Sequence, residues 1–241
     1  MKRKMQKNSI LSKAAWKAFC FAVILAFFGC RSLETLGNEA LNVGDYDRAI
    51  AAFSKALDEF PADRDARYGM ALARFGKAEA GEKIGEHSVE LGTKTVAEFR
   101  ILEKIDSSAA KEMHSSALFY LARAKISENE KAKVLGILNE SLKLDSANDF
   151  SWNLKALALQ GAGDRESAQK IFTEILKRNA AFAPAYSNLG SLYWEDGKVE
   201  DAWDIWSMGA KRFPKNHALQ FWTKVAEDSL KSAVLSGNSH E

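Results

Sequence analysis

Residues 183–216 read APAYSNLGSLYWEDGKVEDAWDIWSMGAKRFPKN, and this stretch decides the fold. Tyr186, Leu189, Gly190 and Tyr193 recur at helical spacing. Glu195-Asp196-Gly197 breaks that pattern, and Ala202, Trp206 and Ala210 resume it before Pro214. Apolar residues three and four apart mark one face of a helix, and a Gly-containing polar break marks a tight turn. The expectation is a short helix, a turn and an antiparallel helix.

The same unit recurs at a period of 34 residues, starting at Ser115, Asp149 and Ala183. The unit from Asp149 carries Trp152, Ala156, Leu159, Gly163-Asp164, Ala168, Phe172 and Ile175, with Lys155 and Ala180 where Leu and Pro are expected. The unit from Ser115 carries Leu118, Leu121-Ala122, Val134, Leu138 and Ser141-Leu142, and Ser127-x2-Glu130 reads as a capping box for its second helix. A first unit, 30–63, has Leu33, Leu36-Gly37, Gly44-Asp45-Tyr46, Ala49, Phe53, Ala56-Leu57 and Pro61.

Tyr186-x2-Leu189-Gly190-x2-Tyr193, then Ala202-x3-Trp206, then Pro214, resembles the tetratricopeptide pattern, with Tyr and Trp standing where Trp and Phe are usual. In that pattern Gly190 and Ala202 are small so that the paired helices can touch. Gly209 replaces the usual Ala and is expected to loosen the second helix slightly. The resemblance implies an all-α, right-handed α-solenoid of about five helix pairs. The units span 30–63, 64–114, 115–148, 149–182 and 183–216, followed by a capping helix over 217–235 and a disordered tail over 236–241.

The second unit is irregular, since 64–114 is as long as one and a half repeats. Thr95-x2-Glu98 reads as the capping box of a helix from Val96 to Ile105. Between about 76 and 94 the chain holds four glycines and several glutamates. Two readings stand for this insertion: an extra turn or lid beside a binding face, or a lengthened first helix with a solvated end.

The segment 1–29 contains six Lys or Arg and no acid, and Ala18 to Phe28 is nearly all apolar. That is the build of an export signal, and the apolar run is short of the roughly 20 residues a membrane span requires. Gly29-Cys30 resembles the lipobox of bacterial lipoproteins, with Phe27-Phe28 departing from its usual residues. The resemblance implies cleavage before Cys30 and lipid on its sulfur; two or more acyl chains would hold the protein stably on a membrane. Arg31-Ser32 then favours the outer membrane, facing the periplasm. Six of the 34 basic residues and none of the 32 acidic ones leave with the signal, so the remainder carries 28 against 32, a net −4. No basic stripe with interleaved aromatics argues for nucleic acid.

Catalytic signals are few. The four histidines, His87, His114, His217 and His240, have no metal-ligand spacing, and neither GxSxG nor a Gly-rich phosphate loop occurs. Glu86 and Glu90 beside His87 could lie one turn apart on a helix, near enough for a weak metal site, but they read as surface charge, so neither a metal nor any other cofactor is expected. The expected working part is the wall lined by the first helix of every unit. Projection places Asn38 there from the first unit, Tyr68 and Phe75 from the second, and Phe119 and Arg123 from the third. The fourth adds Phe150, Asn153 and Gln160, and the fifth Asn188 and Trp194. Tyr68 and Phe150 are the two whose rings compete with the inter-repeat core for assignment. Some tetratricopeptide proteins clamp a partner's C-terminal carboxylate with lysines; here Glu34 stands at such a place and Arg123 is the clear cation, which disfavours that clamp.

Trp203, Trp206 and Trp222 form a second aromatic group, assigned to packing of the last unit on its cap, or to a homo-oligomer contact if Trp203 is exposed. The resemblance implies a membrane-tethered, non-enzymatic scaffold that binds a peptide or helix of another envelope protein. The alternative it implies is a module for a small hydrophobic ligand, associated with a transporter.

Overall fold

The computed structural model describes residues 33–85, 88–105, 110–126 and 131–237, and every regular element among them is a helix. The fold class is all-α, of the α-solenoid type. The chain divides into two compact units, one ending at Ala110 and the other starting at Lys111. The first holds α1 (33–42), α2 (Tyr46–Glu59), α3 (Arg64–Lys83) and α4 (Val89–Ile105). The second holds α5 (Lys111–Ile126), α6 (Lys131–Leu144), α7 (Asp149–Gly161), α8 (Arg165–Arg178), α9 (Ala183–Glu195), α10 (Val199–Arg212) and α11 (His217–Gly237).

The turns within helix pairs follow from a Gly-Asp dipeptide. Gly44 and Gly163 adopt φ of 74° and 93°, a conformation that costs a side chain strain and costs glycine none. Asp45 and Asp164 follow at once, and each accepts a hydrogen bond at 3.1 Å from the backbone N–H three residues on, at Arg48 and Ser167, capping α2 and α8. The last pair keeps the glycine, Gly197 at φ 73°, but has Lys198 in place of the aspartate, and α10 starts without a side-chain cap. The period is visible in the helices: α9 begins one full repeat after α7, and α10 both begins and ends one full repeat after α8.

In the first unit Phe53 is fully buried with Ala40, Ala49, Ala56, Ala66 and Met70. Its ring lies between two glycines: a Cβ on Gly37 would come within 2.6 Å of it and one on Gly69 within 2.3 Å. Helices α3 and α4 are 20 and 17 residues long, so the segment 76–94 is mostly helix on either side of a short break, rather than an extra turn beside the wall. The expected capping box at Thr95 is also corrected. α4 begins seven residues earlier, where Ser88 Oγ accepts from Leu91 N at 3.1 Å, and Thr95 lies mid-helix with its hydroxyl donating to Leu91 O. Glu98 reaches across to α3 and accepts from Arg67 at 2.9 Å and Arg74 at 2.7 Å. Two guanidinium groups on a carboxylate that is 8% exposed bind it more strongly than a helix N-terminus would.

In the second unit α5 begins at Lys111, four residues before the expected boundary at Ser115. Ser115 is instead fully buried with Ser141 and Ser151. Ser141 Oγ lies 2.8 Å from Ser115 Oγ and 2.7 Å from Ser151 Oγ, and Asn148 Nδ2 donates to Ser115 Oγ. Three small hydroxyl side chains satisfy one another here and let α5, α6 and α7 approach closely. The capping box at Ser127 lies outside the described residues.

Helix α11 closes the stack. Leu219 and Ala226 are buried, while Lys224 pairs with Asp228 at 2.7 Å and Lys231 with Glu227 along the solvated side. These pairs hold Lys224 above its ordinary pKa, chiefly through the hydrogen bond to Asp228. The residues that would receive a further second helix are thus polar. Gly209 has a packing role: a Cβ there would meet Tyr186 Cβ at 2.8 Å, so the glycine makes room for the buried tyrosine.

Candidate functional site

In the second unit the first helices touch in succession, α5 with α7, α7 with α9 and α9 with α11. Among the described residues the second helices α6, α8 and α10 make no such neighbour contacts. That asymmetry puts the first helices on the inner, tighter wall of this unit.

The wall has three zones. Near the helix N-termini Phe150 stands 58% exposed, its ring 5.8 Å from that of Phe119 and 5.1 Å from that of Phe182. Midway, Asn188 Nδ2 donates to Asn153 Oδ1 at 2.8 Å, with Leu157 exposed one turn further along α7. Near the C-termini Gln160 Nε2 donates to Glu195 Oε2 at 3.1 Å. Trp194 packs there on the buried Trp206, with ring centres 6.0 Å apart.

At this last zone one cation meets two carboxylates. Arg165, at the start of α8, donates to Asp196 at 2.6 Å, to Glu195 at 3.0 Å and to Leu192 O at 3.0 Å. The hydrogen bond to Glu195 contributes most to holding the guanidinium protonated above its ordinary range. Arg165 therefore ties α8 to the C-terminal end of α9.

The expected wall residues divide into groups. Phe150, Asn153, Gln160, Asn188 and Trp194 are brought onto one face, and Arg123 is exposed on the neighbouring α5. Phe119 is corrected: it is 7% exposed and packed with Ala122, Val134, Leu138 and Leu154, so it belongs to the core. Phe150, whose assignment competed with the core, is the open one. Asn38, Tyr68 and Phe75 belong to the first unit. There Asn38 is exposed on α1, Tyr68 is 38% exposed on α3, and Phe75 is half-buried edge-on to Phe99. Cys30, Glu86 and His87 lie outside the described residues.

Sequence reading misses Phe221 on α11, and it assigns Trp222 only to packing of the last unit on its cap. Phe221 is 59% exposed, and Trp222 stacks on Trp206 with ring centres 5.5 Å apart. The repeat register holds the signal, for these two positions lie one full period beyond Ser187 and Asn188. Treating 217–235 only as a closing helix leaves them off the wall. Trp203 is half-buried against the same cluster.

Among the described residues no group of three His, Cys, Asp or Glu is placed to hold a metal ion. None of the described helices is long and apolar enough to cross a membrane.

Stacked antiparallel helix pairs with a shared inner wall define a helical-repeat protein of the kind that serves as a protein-binding scaffold. The tetratricopeptide repeat family model matches residues 34–88 and 153–222, just over half of the chain, and the protein belongs to that family. It is similar to Hsp70-Hsp90 organizing protein 1 of Glycine max, at 28% identity over 187 residues. That match covers 68% of this chain and 32% of the relative, so the chain spans about a third of the relative's length. Among solved structures it resembles a tetratricopeptide repeat protein from Parabacteroides merdae, with a TM-score of 0.60 at 13% identity over 84% of this chain and 74% of that one. It also resembles MamA, with a TM-score of 0.56 at 17% identity over 78% and 94%. A third is YrrB, described as having an unusual peptide-binding site, with a TM-score of 0.55 at 16% identity over 80% and 90%. At these identities the likeness is one of fold.

Proposed function

We propose that the chain is a tethered scaffold that captures a segment of another envelope protein on the inner wall of its second unit. The observation that carries this reading is the exposed run Phe150, Leu157 and Phe221 around the Asn153–Asn188 pair on helices of one stack. Aromatic anchors set among polar groups are the usual makings of a protein interface. Tethering is supported by the signal-like 1–29 followed by Gly29-Cys30, and lipid on that cysteine would place the wall at a membrane surface facing the periplasm. An extended peptide or an amphipathic helix meets the wall's chemistry better than a carboxylate terminus does, because the mid-wall positions Asn153, Leu157, Asn188 and Ser191 include no lysine.

The test has two arms. Cys30→Ala should move the protein from the membrane pellet to the soluble fraction. Phe150→Ala with Phe221→Ala should remove the captured partner while leaving the membrane fraction and helicity unchanged. Sedimentation that ignores the cysteine would defeat the tether, and capture that survives the double substitution would defeat the wall.

A further inference from the structure

We infer that the edge of the second unit formed by the connections between its helix pairs docks on an anionic lipid surface, a role that rests neither on lipid at Cys30 nor on the inner wall. The inference comes from how the unit separates its charge. The chain after the signal-like segment is net acidic, yet residues 175–184 and 208–218 contain five Lys or Arg and no acid. These stretches hold the last turns of α8 and α10 and the connections that follow them. Tyr186 keeps the two connections side by side: its hydroxyl donates to Ala180 O at 3.3 Å, and its ring centre lies 6.1 Å from that of Phe213.

Two of the five cations are matched, Arg178 by Asp149 and Lys177 by Glu174. Lys211, Arg212 and Lys215 are exposed, and among the described residues no carboxylate pairs with any of them. Earlier parts of the same edge add no net charge, since Lys143 stands with Asp145 and Lys111 with Glu112. The opposite edge, where the turns within pairs lie, has the other sign. Residues 195–201 hold four acids and Lys198; Arg165 engages Glu195 and Asp196, while Glu200 and Asp201 stand exposed.

The chemistry of the basic edge fits a bilayer. Arg212 to His217 surround an open depression of about 640 Å³, in which a lipid phosphate would meet Arg212 and Lys215. A bilayer presents such phosphates as a wide sheet that needs no shaped pocket, and each Lys or Arg brought near an anionic one strengthens attachment about fivefold. Nucleic acid would call for rings open to stacking among the cations, and here Phe182 is buried and Phe213 half-buried. The same anionic surface repels the acidic edge, so the separation of charge fixes which way the unit faces.

The experiment uses the full chain with Cys20→Ser and Cys30→Ser, which leaves no thiol for a lipid, and one new cysteine carrying a fluorophore. Pro214→Cys places the fluorophore on the basic edge and Glu200→Cys on the opposite one. Vesicles contain a lipid with a nitroxide headgroup as quencher, in either equimolar phosphatidylglycerol and phosphatidylcholine or phosphatidylcholine alone. Because the signal-like 1–29 can itself bind vesicles, the readout is contact at a position, not sedimentation. On anionic vesicles position 214 should be quenched at least about fivefold more than position 200. Salt at roughly 0.5 M should remove the difference. Lys211→Gln, Arg212→Gln and Lys215→Gln together should remove it as well, with circular dichroism checking that the fold persists. Equal quenching at both positions, the same quenching on phosphatidylcholine alone, or quenching at 214 that survives the triple substitution would overturn the inference. Protection of position 214 by polyglutamate or a DNA duplex, with no response to vesicles, would overturn it too and give the edge to an acidic protein or to nucleic acid. All of these outcomes are read without lipid on Cys30 and away from Phe150, so each leaves the tether and the wall to their own tests.

Discussion

Trp206 fills the space that a side chain at Gly190 would need. A Cβ on Gly190 would lie 2.3 Å from Trp206 Nε1, and that same nitrogen donates to Ser187 O at 3.2 Å, one turn earlier on α9. The helices of the last pair are therefore in contact through the flat of an indole against bare backbone, with Trp194 and Trp222 against the same ring.

Gly190→Ala is a sharp test of that contact. In an open helix the change would stabilise by about 1 kcal/mol, because alanine loses less backbone freedom than glycine. Here Trp206 is 1% exposed and held between two further tryptophans, so the clash outweighs that gain, and a net loss of about 1–2 kcal/mol is expected in urea unfolding. Gly136, exposed within α6 with nothing within 4 Å of its would-be Cβ, is the control. Gly136→Ala should stabilise by about 0.5–1 kcal/mol.

Phe119 and Phe150 touch, yet their substitutions should separate stability from binding. Phe119→Ala empties a buried site and should cost about 3–5 kcal/mol by chemical denaturation. Phe150→Ala removes an exposed ring and should change stability by less than about 1 kcal/mol, while lowering capture of a bound peptide measured by fluorescence anisotropy.

Glu98 joins α3 to α4 through Arg67 and Arg74, and all three side chains are at least four-fifths buried. Glu98→Ala leaves two guanidinium groups facing each other without their carboxylate. A loss of about 3 kcal/mol is expected by denaturant titration, the low end for a broken buried pair because each group keeps some water. A loss below about 0.5 kcal/mol, no more than an exposed surface pair gives, would show that the network contributes little to holding these helices.

Asp164 sets a pH dependence whose sign can be worked out. Hydrogen bonds from Ser167, side chain first and then backbone, hold its carboxyl below the usual aspartate value. A depressed folded-state pKa gives stability that is present above the unfolded value near 3.8 and lost as pH falls through the folded one. Thermal melts by circular dichroism should show this loss in the acid limb below about pH 4. Asp164→Asn keeps a competent cap and should flatten that part of the profile.

Much of this architecture is legible in the sequence because its rules are local. Gly163-Asp164 announces a turn and a cap, and the spacing of Leu189, Gly190, Ala202 and Trp206 announces two helices in contact. What the sequence hides involves partners distant in the chain. Thr95-x2-Glu98 has the letters of a cap, but Glu98 is committed to Arg74 and Arg67 on the preceding helix. Gly209 reads as a weak point in its helix, whereas its reason is Tyr186 on the helix before. Phe119 and Phe150 are indistinguishable by type, and only the packing of α5 on α6 decides which ring is covered. Phe221 escapes notice, and Trp222 is read as packing alone, when the last helix is treated only as a cap.

The central claim is that the second unit holds another protein on its inner wall. Its most direct measurement is photo-crosslinking in intact cells, with benzoylphenylalanine placed at Leu157 on the wall or at Met208 on α10, which is 56% exposed and lies on a second helix. The account predicts a covalent adduct with a distinct protein from position 157 and none from position 208. Adducts from 208 alone, or equal yields of the same adduct from both positions, would contradict it.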